Sequence, residues 1–179
     1  MKDYAFWIEY VLMNFALSML VLAGIFVLFH KLIFRRTSQY EIIYRWVALF
    51  AVGFSGIFTF FMHVFHPDFT SASIGWTTNP FEFEVGIADF GFGLIAILSF
   101  AASYGFRLAT VIGNTCWLWG DAIGHFHEMV THQNYAIGNA GTWLWMDILL
   151  PIILIICILK LRPGALVVVT RTYSPPEVR

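Results

Sequence analysis

Trp117 to His132 reads W-L-W-G-D-A-I-G-H-F-H-E-M-V-T-H, and its reading decides the fold. The segment continues an apolar run, yet Asp121, His125, Glu128 and His132 recur at i, i+4, i+7 and i+11. On a helix that spacing puts them on one stripe, with Asn114 extending it backwards. Carboxylates and imidazoles in so apolar a segment are costly unless they face protein, a partner or a wet cavity. The rest of the chain is therefore read for what this stripe faces.

Of the 179 residues 59% are hydrophobic and 12% charged, and the mean hydropathy is +0.75. A soluble domain carries about 25% charged residues, so the deficit implies a lipid environment. About 20 apolar residues cross a bilayer. Five stretches qualify, at about 5 to 30, 42 to 65, 81 to 104, 108 to 130 and 143 to 161. The expectation is an all-α polytopic membrane protein: one five-helix transmembrane domain over residues 1–162 and a cytoplasmic tail over 163–179. The apolar stretch near the N-terminus is too long for a signal-peptide core and is read as a retained first span. Short connections make neighbouring helices antiparallel.

Orientation follows from Lys and Arg, which accumulate in short cytoplasmic loops. Lys31, Arg35, Arg36, Arg45, Arg107, Lys160, Arg162, Arg171 and Arg179 fall on one side of the five-span layout, whereas residues 66–80 and 131–142 contain neither residue type. Only Lys2 dissents. This places the N-terminus outside and the C-terminus inside, with Trp7, Trp76, Trp143 and Trp145 at the outer interface. The formal net charge of -1 and the lack of basic runs argue against a nucleic-acid partner. Cys116 and Cys157 lie inside apolar runs without C-x-x-C spacing and are read as small apolar fillers.

In this layout the ionisable groups of the spans sort into the outer leaflet. His63 and His66 end the second helix, Glu82, Glu84 and Asp89 open the third, and Asp147 opens the fifth. His63-x-x-His66 has a spacing that binds transition metals, and mixed His/carboxylate ligands suit zinc, iron or manganese. The expected metal ligands are His63, His66, Glu84, Asp121 and His125. Asp89, Glu128 and Asp147 are expected to support those ligands from behind or to hold a second metal. Glu84 is preferred over Glu82 because its depth matches His63 and His125. Asn79-Pro80-Phe81-Glu82 reads instead as a helix start with Asn cap and capping-box glutamate. In the alternative reading, in which Asp121 and His125 are an internal pair that fixes helix packing, Gly120 and Gly124 mark the close-approach face. Ser73–Trp76 and Gly138–Gly141 are read as short connectors rather than as a lid.

The function expected is that of a membrane protein with a divalent transition-metal site in the outer leaflet, acting as a metalloenzyme or in metal handling; no residue is assigned a catalytic role. Two alternatives of other classes stay open. One is a proton- or ion-coupled transporter, disfavoured because the inner halves carry few polar groups. The other is an accessory subunit of a larger membrane complex, or a homo-oligomer, with a structural polar cluster.

The segments Ile74-Gly75-Trp76, Phe81-Glu82-Phe83-Glu84-Val85-Gly86 and Trp119-Gly120-Asp121-Ala122-Ile123-Gly124-His125 resemble a bacterial family of small polytopic membrane proteins catalogued only as a domain of unknown function. The resemblance runs from about the second helix through the fifth. It implies a compact helical inner-membrane fold and suggests that Glu84, Asp121 and His125 belong together, and it supplies no activity, substrate or cofactor.

Overall fold

The structure is a computed structural model that describes residues 2–163. From residue 164 onward the expected tail lies outside the described residues. The described chain is helical: α1 (Lys2–Met13), α2 (Phe15–Ile33), α3 (Gln39–Trp46), a π-helical segment (Val47–Phe54), α4 (Ser55–Phe65), α5 (Pro67–Ile74), α6 (Phe81–Leu98), α7 (Tyr104–His132), α8 (Ile137–Ala140) and α9 (Thr142–Lys160). A 3₁₀ turn, Ser99–Ala101, ends α6.

Among the described residues four helical stretches are long and apolar enough to cross a membrane: Phe15–Ile33, Gln39–Phe65, Phe81–Ala101 and Ile137–Lys160. The chain is thus a helical bundle with the composition of a membrane protein. The stretch expected to begin near residue 5 is broken at Asn14, whose backbone leaves the helical region at φ -113° and ψ 38°. The Asn14 amide explains the break. It donates to Tyr10 O at 2.8 Å and accepts from the Thr142 hydroxyl at 2.9 Å, while the Trp143 indole donates to Met13 O at 3.0 Å. Trp143, expected as an interfacial anchor, is used to pin this junction to α9.

Close packing rests on small residues, as expected where lipid supplies no hydrophobic drive between helices. A Cβ on Gly56 would stand 2.8 Å from the backbone of Asp89 and Gly93, and one on Gly93 would stand 2.8 Å from Gly53 O. Helices α4 and α6 therefore meet backbone to backbone. Gly86 joins the same face, against Val64 and His63. By contrast Gly120 and Gly124 have nothing within 4 Å, so they mark no helix contact. Ala16, Ala23, Ala48, Ala51 and Ala96 fill the core beside Tyr44, Leu150 and Leu154.

The end of the bundle holding the starts of α3 and α7 is closed by a polar knot. The Arg107 guanidinium donates to both Glu41 carboxylate oxygens, at 2.6 and 3.0 Å, and to the carbonyls of Ser99 and Phe100 at 3.1 and 2.8 Å. Arg45 donates to the same carboxylate at 2.6 Å, and Tyr44 donates to Ser99 Oγ at 3.0 Å. Arg107, expected as a loop charge, is buried because all three nitrogens of its fork donate to an acceptor, through four of its five N–H groups.

Candidate functional site

At the opposite end of the bundle a cavity of about 670 Å³ opens among the second half of α7, the end of α4, the start of α6 and the start of α9. His63, Asp89, Asp121, His125 and Asp147 all line it, with Asn114 beneath them, and no Lys or Arg does. Most of the remaining wall is apolar and aromatic, including Phe58, Phe92, Trp117 and Trp143, with the hydroxyls of Ser55, Thr59, Thr70 and Ser73 among it. Gly120 and Gly124 line it too, so their missing side chains widen the chamber.

The two imidazoles are held in the same manner. His63 Nδ1 lies 2.5 Å from Glu82 Oε2, and the other oxygen of that carboxylate accepts the Ser71 hydroxyl. His125 Nδ1 lies 2.7 Å from Asn139 Oδ1. The amide of Asn139 has its orientation set independently, since its NH₂ donates to the carbonyls of Asn134 at 2.8 Å and His125 at 3.3 Å. An amide oxygen only accepts, so His125 Nδ1 carries the proton and Nε2 is left with its lone pair when the ring is neutral. That Nε2 stands 3.7 Å from Asp147 Oδ2. In each ring the nitrogen away from the anchoring partner is the one available to the chamber.

The carboxylates come from three helices. Asp89 on α6 accepts the Trp117 indole N–H at 2.9 Å. Asp121 lies one turn before His125 on α7, and Asp147 is buried on α9. Asp89, Asp121 and Asp147 are close enough to interact electrostatically. Three carboxyl groups beside two imidazoles, with no Lys or Arg in the lining, supply oxygen and nitrogen donors suited to a positively charged guest.

The other expected ligands lie elsewhere. Glu84 is exposed on the far side of α6. Glu82, Gly86, Asp89 and Gly93 recur at i, i+4, i+7 and i+11, and the two glycines are pressed against α4, so that face carries Glu82 inward and Glu84 outward. Glu82 is buried and spent on His63 and Ser71 rather than on a capping box. Asn79 does cap the helix start, its Oδ1 accepting Phe81 N–H at 2.9 Å. His66 is exposed and ends α4 at φ -133° and ψ 47°, which takes it off the helical face of His63. Glu128 meets His132 at 3.1 Å at the end of α7 and does not line the chamber.

Sequence reasoning missed Glu82, Asn139 and the roof. Ile74 and Trp76 from one loop region, and Ile137 and Gly138 from the other, line the chamber. The two regions are bound to each other: Asn134 Nδ2 donates to Ile74 O at 2.9 Å, and a Cβ on Gly138 would stand 2.7 Å from Ser73 O. Gly75 closes its turn at φ 84°, where a side chain is strained. These connectors therefore form a lid over the polar wall. The signal for it was present in Gly75 and in the Asn-Gly-rich stretch 138–141.

No curated protein and no solved structure matches this chain. A family model described as a family of unknown function (DUF6790) matches residues 13–164, and the chain belongs to that family.

Proposed function

We propose that this chain is an integral membrane protein that binds a divalent transition-metal ion at the polar wall of its chamber, through His125 Nε2 and the carboxylates of Asp147 and Asp121. The observation that carries this reading is the tautomer set on His125 by Asn139, which leaves a lone-pair nitrogen opposite a buried carboxylate. A ligating imidazole has its other nitrogen held by just such a partner. The donors are nitrogen and carboxylate oxygen, which suits zinc, iron or manganese and disfavours copper(I). His63, held through Glu82, and Asp89 are the groups available for a further ligand or a second ion.

In this reading α7 is the fifth crossing. Its 29 residues span about 43 Å at 1.5 Å each, against a hydrocarbon thickness of about 30 Å. With the Lys- and Arg-rich ends of the helices inside, the chamber lies near the outer surface and the C-terminus within the cell. The opposite half supports a blind chamber better than a through-going relay, because the Arg107–Glu41 knot occupies it.

Elemental analysis of the purified protein beside His125→Ala and Asp147→Asn tests the proposal. Stoichiometric metal in the parent and its loss in both variants is expected. A parent that takes up no metal on reconstitution, or variants that keep it, would overturn the reading.

A further inference from the structure

We propose a second divalent-metal site, outside the chamber, formed by His127, Glu128 and His132 at the C-terminal end of α7. Each offers one donor atom, and the three donors lie within 4.8 Å of one another. Among the described residues this is the one group of three or more His, Cys, Asp and Glu donors drawn so close. The spacing i, i+1 and i+5 uses a single helical segment, so its geometry needs no help from tertiary packing.

The local bonds define a focus. His132 Nδ1 lies 3.1 Å from Glu128 Oε1. The Thr131 hydroxyl lies 3.0 Å from His132 Nδ1 and 3.5 Å from His127 Nδ1, and it donates its proton to His127 O at 2.6 Å. With that proton engaged, the hydroxyl oxygen is left as an acceptor beside both rings. The backbone there is fixed because the helix ends in a defined way: Gln133 takes φ 53° and Asn134 N–H bonds Glu128 O at 3.2 Å. Two imidazoles and one carboxylate form a three-ligand set that leaves room for water or an external ligand, a pattern zinc accepts. The excess of α7 over the bilayer thickness puts this end in water or headgroups, and His127 and His132 are exposed. Each ring ligates through a nitrogen lone pair, so the site binds its metal with both imidazoles neutral.

The bland account is an i, i+4 ion pair between Glu128 and His132, and His127 discriminates between the two. Such a pair does not need His127, whereas the metal site does. The experiment is calorimetric titration of the full chain in detergent with Zn²⁺, using His125→Ala/Asp147→Asn as the background so that the chamber does not contribute. The background is expected to bind Zn²⁺ at one class of site, weakened about 10-fold or more by either His127→Ala or His132→Ala, with Co²⁺ giving a visible ligand-field band that both variants lose. The same substitutions in the parent chain are expected to remove one class of site and leave any chamber site unchanged, which keeps the two proposals separable. A background protein that binds no Zn²⁺, or a His127→Ala variant that binds as tightly as its background, would overturn the inference.

Discussion

His125 and Asn139 are joined at 2.7 Å through ring Nδ1 and amide oxygen, although the first sits on α7 and the second in the short helix of the lid. The contact ties the chemistry of the polar wall to the closure of the roof, since the same amide also holds the carbonyls of Asn134 and His125.

Asn139→Ala removes all three bonds from a fully buried position. The Asn134 carbonyl left without this donor costs about 1–3 kcal/mol unless water reaches it, so the melting temperature in detergent is expected to fall. Freed of its partner, His125 samples both tautomers, and metal affinity at the chamber is expected to drop about 10- to 100-fold. Melting curves and metal titration on one preparation separate these effects. Unchanged affinity with a lowered melting temperature would leave Asn139 only a packing role.

Glu82 and Glu84 make a paired test of which face of α6 looks inward. Glu82→Gln breaks a buried carboxylate bridge between His63 and Ser71 and is expected to cost about 1–3 kcal/mol. Glu84→Gln changes an exposed group and is expected to stay within about 0.5 kcal/mol. Thermal or denaturant unfolding of the two variants in one detergent would reverse the assignment if Glu84→Gln proved the costlier.

This pair also marks where the sequence stopped being legible. Helix positions were readable because an apolar run of about 20 residues has few alternatives, and the stripe of Asp121 and His125 was readable because period 3.6 survives in any context. Choosing between Glu82 and Glu84 needed the face on which Gly86 and Gly93 pack. Depth along the helix, which favoured Glu84, is the weaker criterion, because two positions apart is a rotation of about 200° and a rise of only about 3 Å. The loss of His66 has a different cause: Pro67 follows it, and the residue before a proline avoids the helical region. Asn139 was unreadable because its role depends on a loop meeting a helix, and spacing in sequence carries no information about that. The break at Asn14 is of the same kind, since Thr142 accounts for half of it.

A glycine of α4 pressed against α6 and a glycine on the open face of α6 predict opposite responses to the same change. Gly56→Ala drives a methyl to 2.8 Å from the backbone of Asp89 and Gly93. Backbone yields less readily than a side chain, and overpacking of this sort costs about 1–3 kcal/mol. Gly91 has nothing within 4 Å, so Gly91→Ala is expected to be neutral or to stabilise by up to about 1 kcal/mol through helix propensity. Melting temperatures moving in the same direction by similar amounts would mean that α4 and α6 are not in backbone contact.

Arg107 supplies the last test, because it separates charge from shape. Its guanidinium donates to Glu41 through both terminal nitrogens and to two carbonyls besides. Lysine keeps the charge, but its ammonium is a point donor that cannot reproduce a planar fork reaching four acceptors. Arg107→Lys is therefore expected to destabilise measurably, and Arg107→Ala more so. Removing one partner of a fully buried pair costs about 3–5 kcal/mol; the Glu41 side chain is 19% exposed and keeps Arg45 at 2.6 Å, so the loss in Arg107→Ala should fall at or below the low end of that range. Adding Glu41→Gln to Arg107→Ala should recover part of it, since the stranded carboxylate is then neutral. Unfolding free energies of the two single variants and the double variant give the coupling directly. If the singles simply add, Arg107 and Glu41 do not act as a pair, and the closure assigned to that end of the bundle rests on the carbonyl bonds alone.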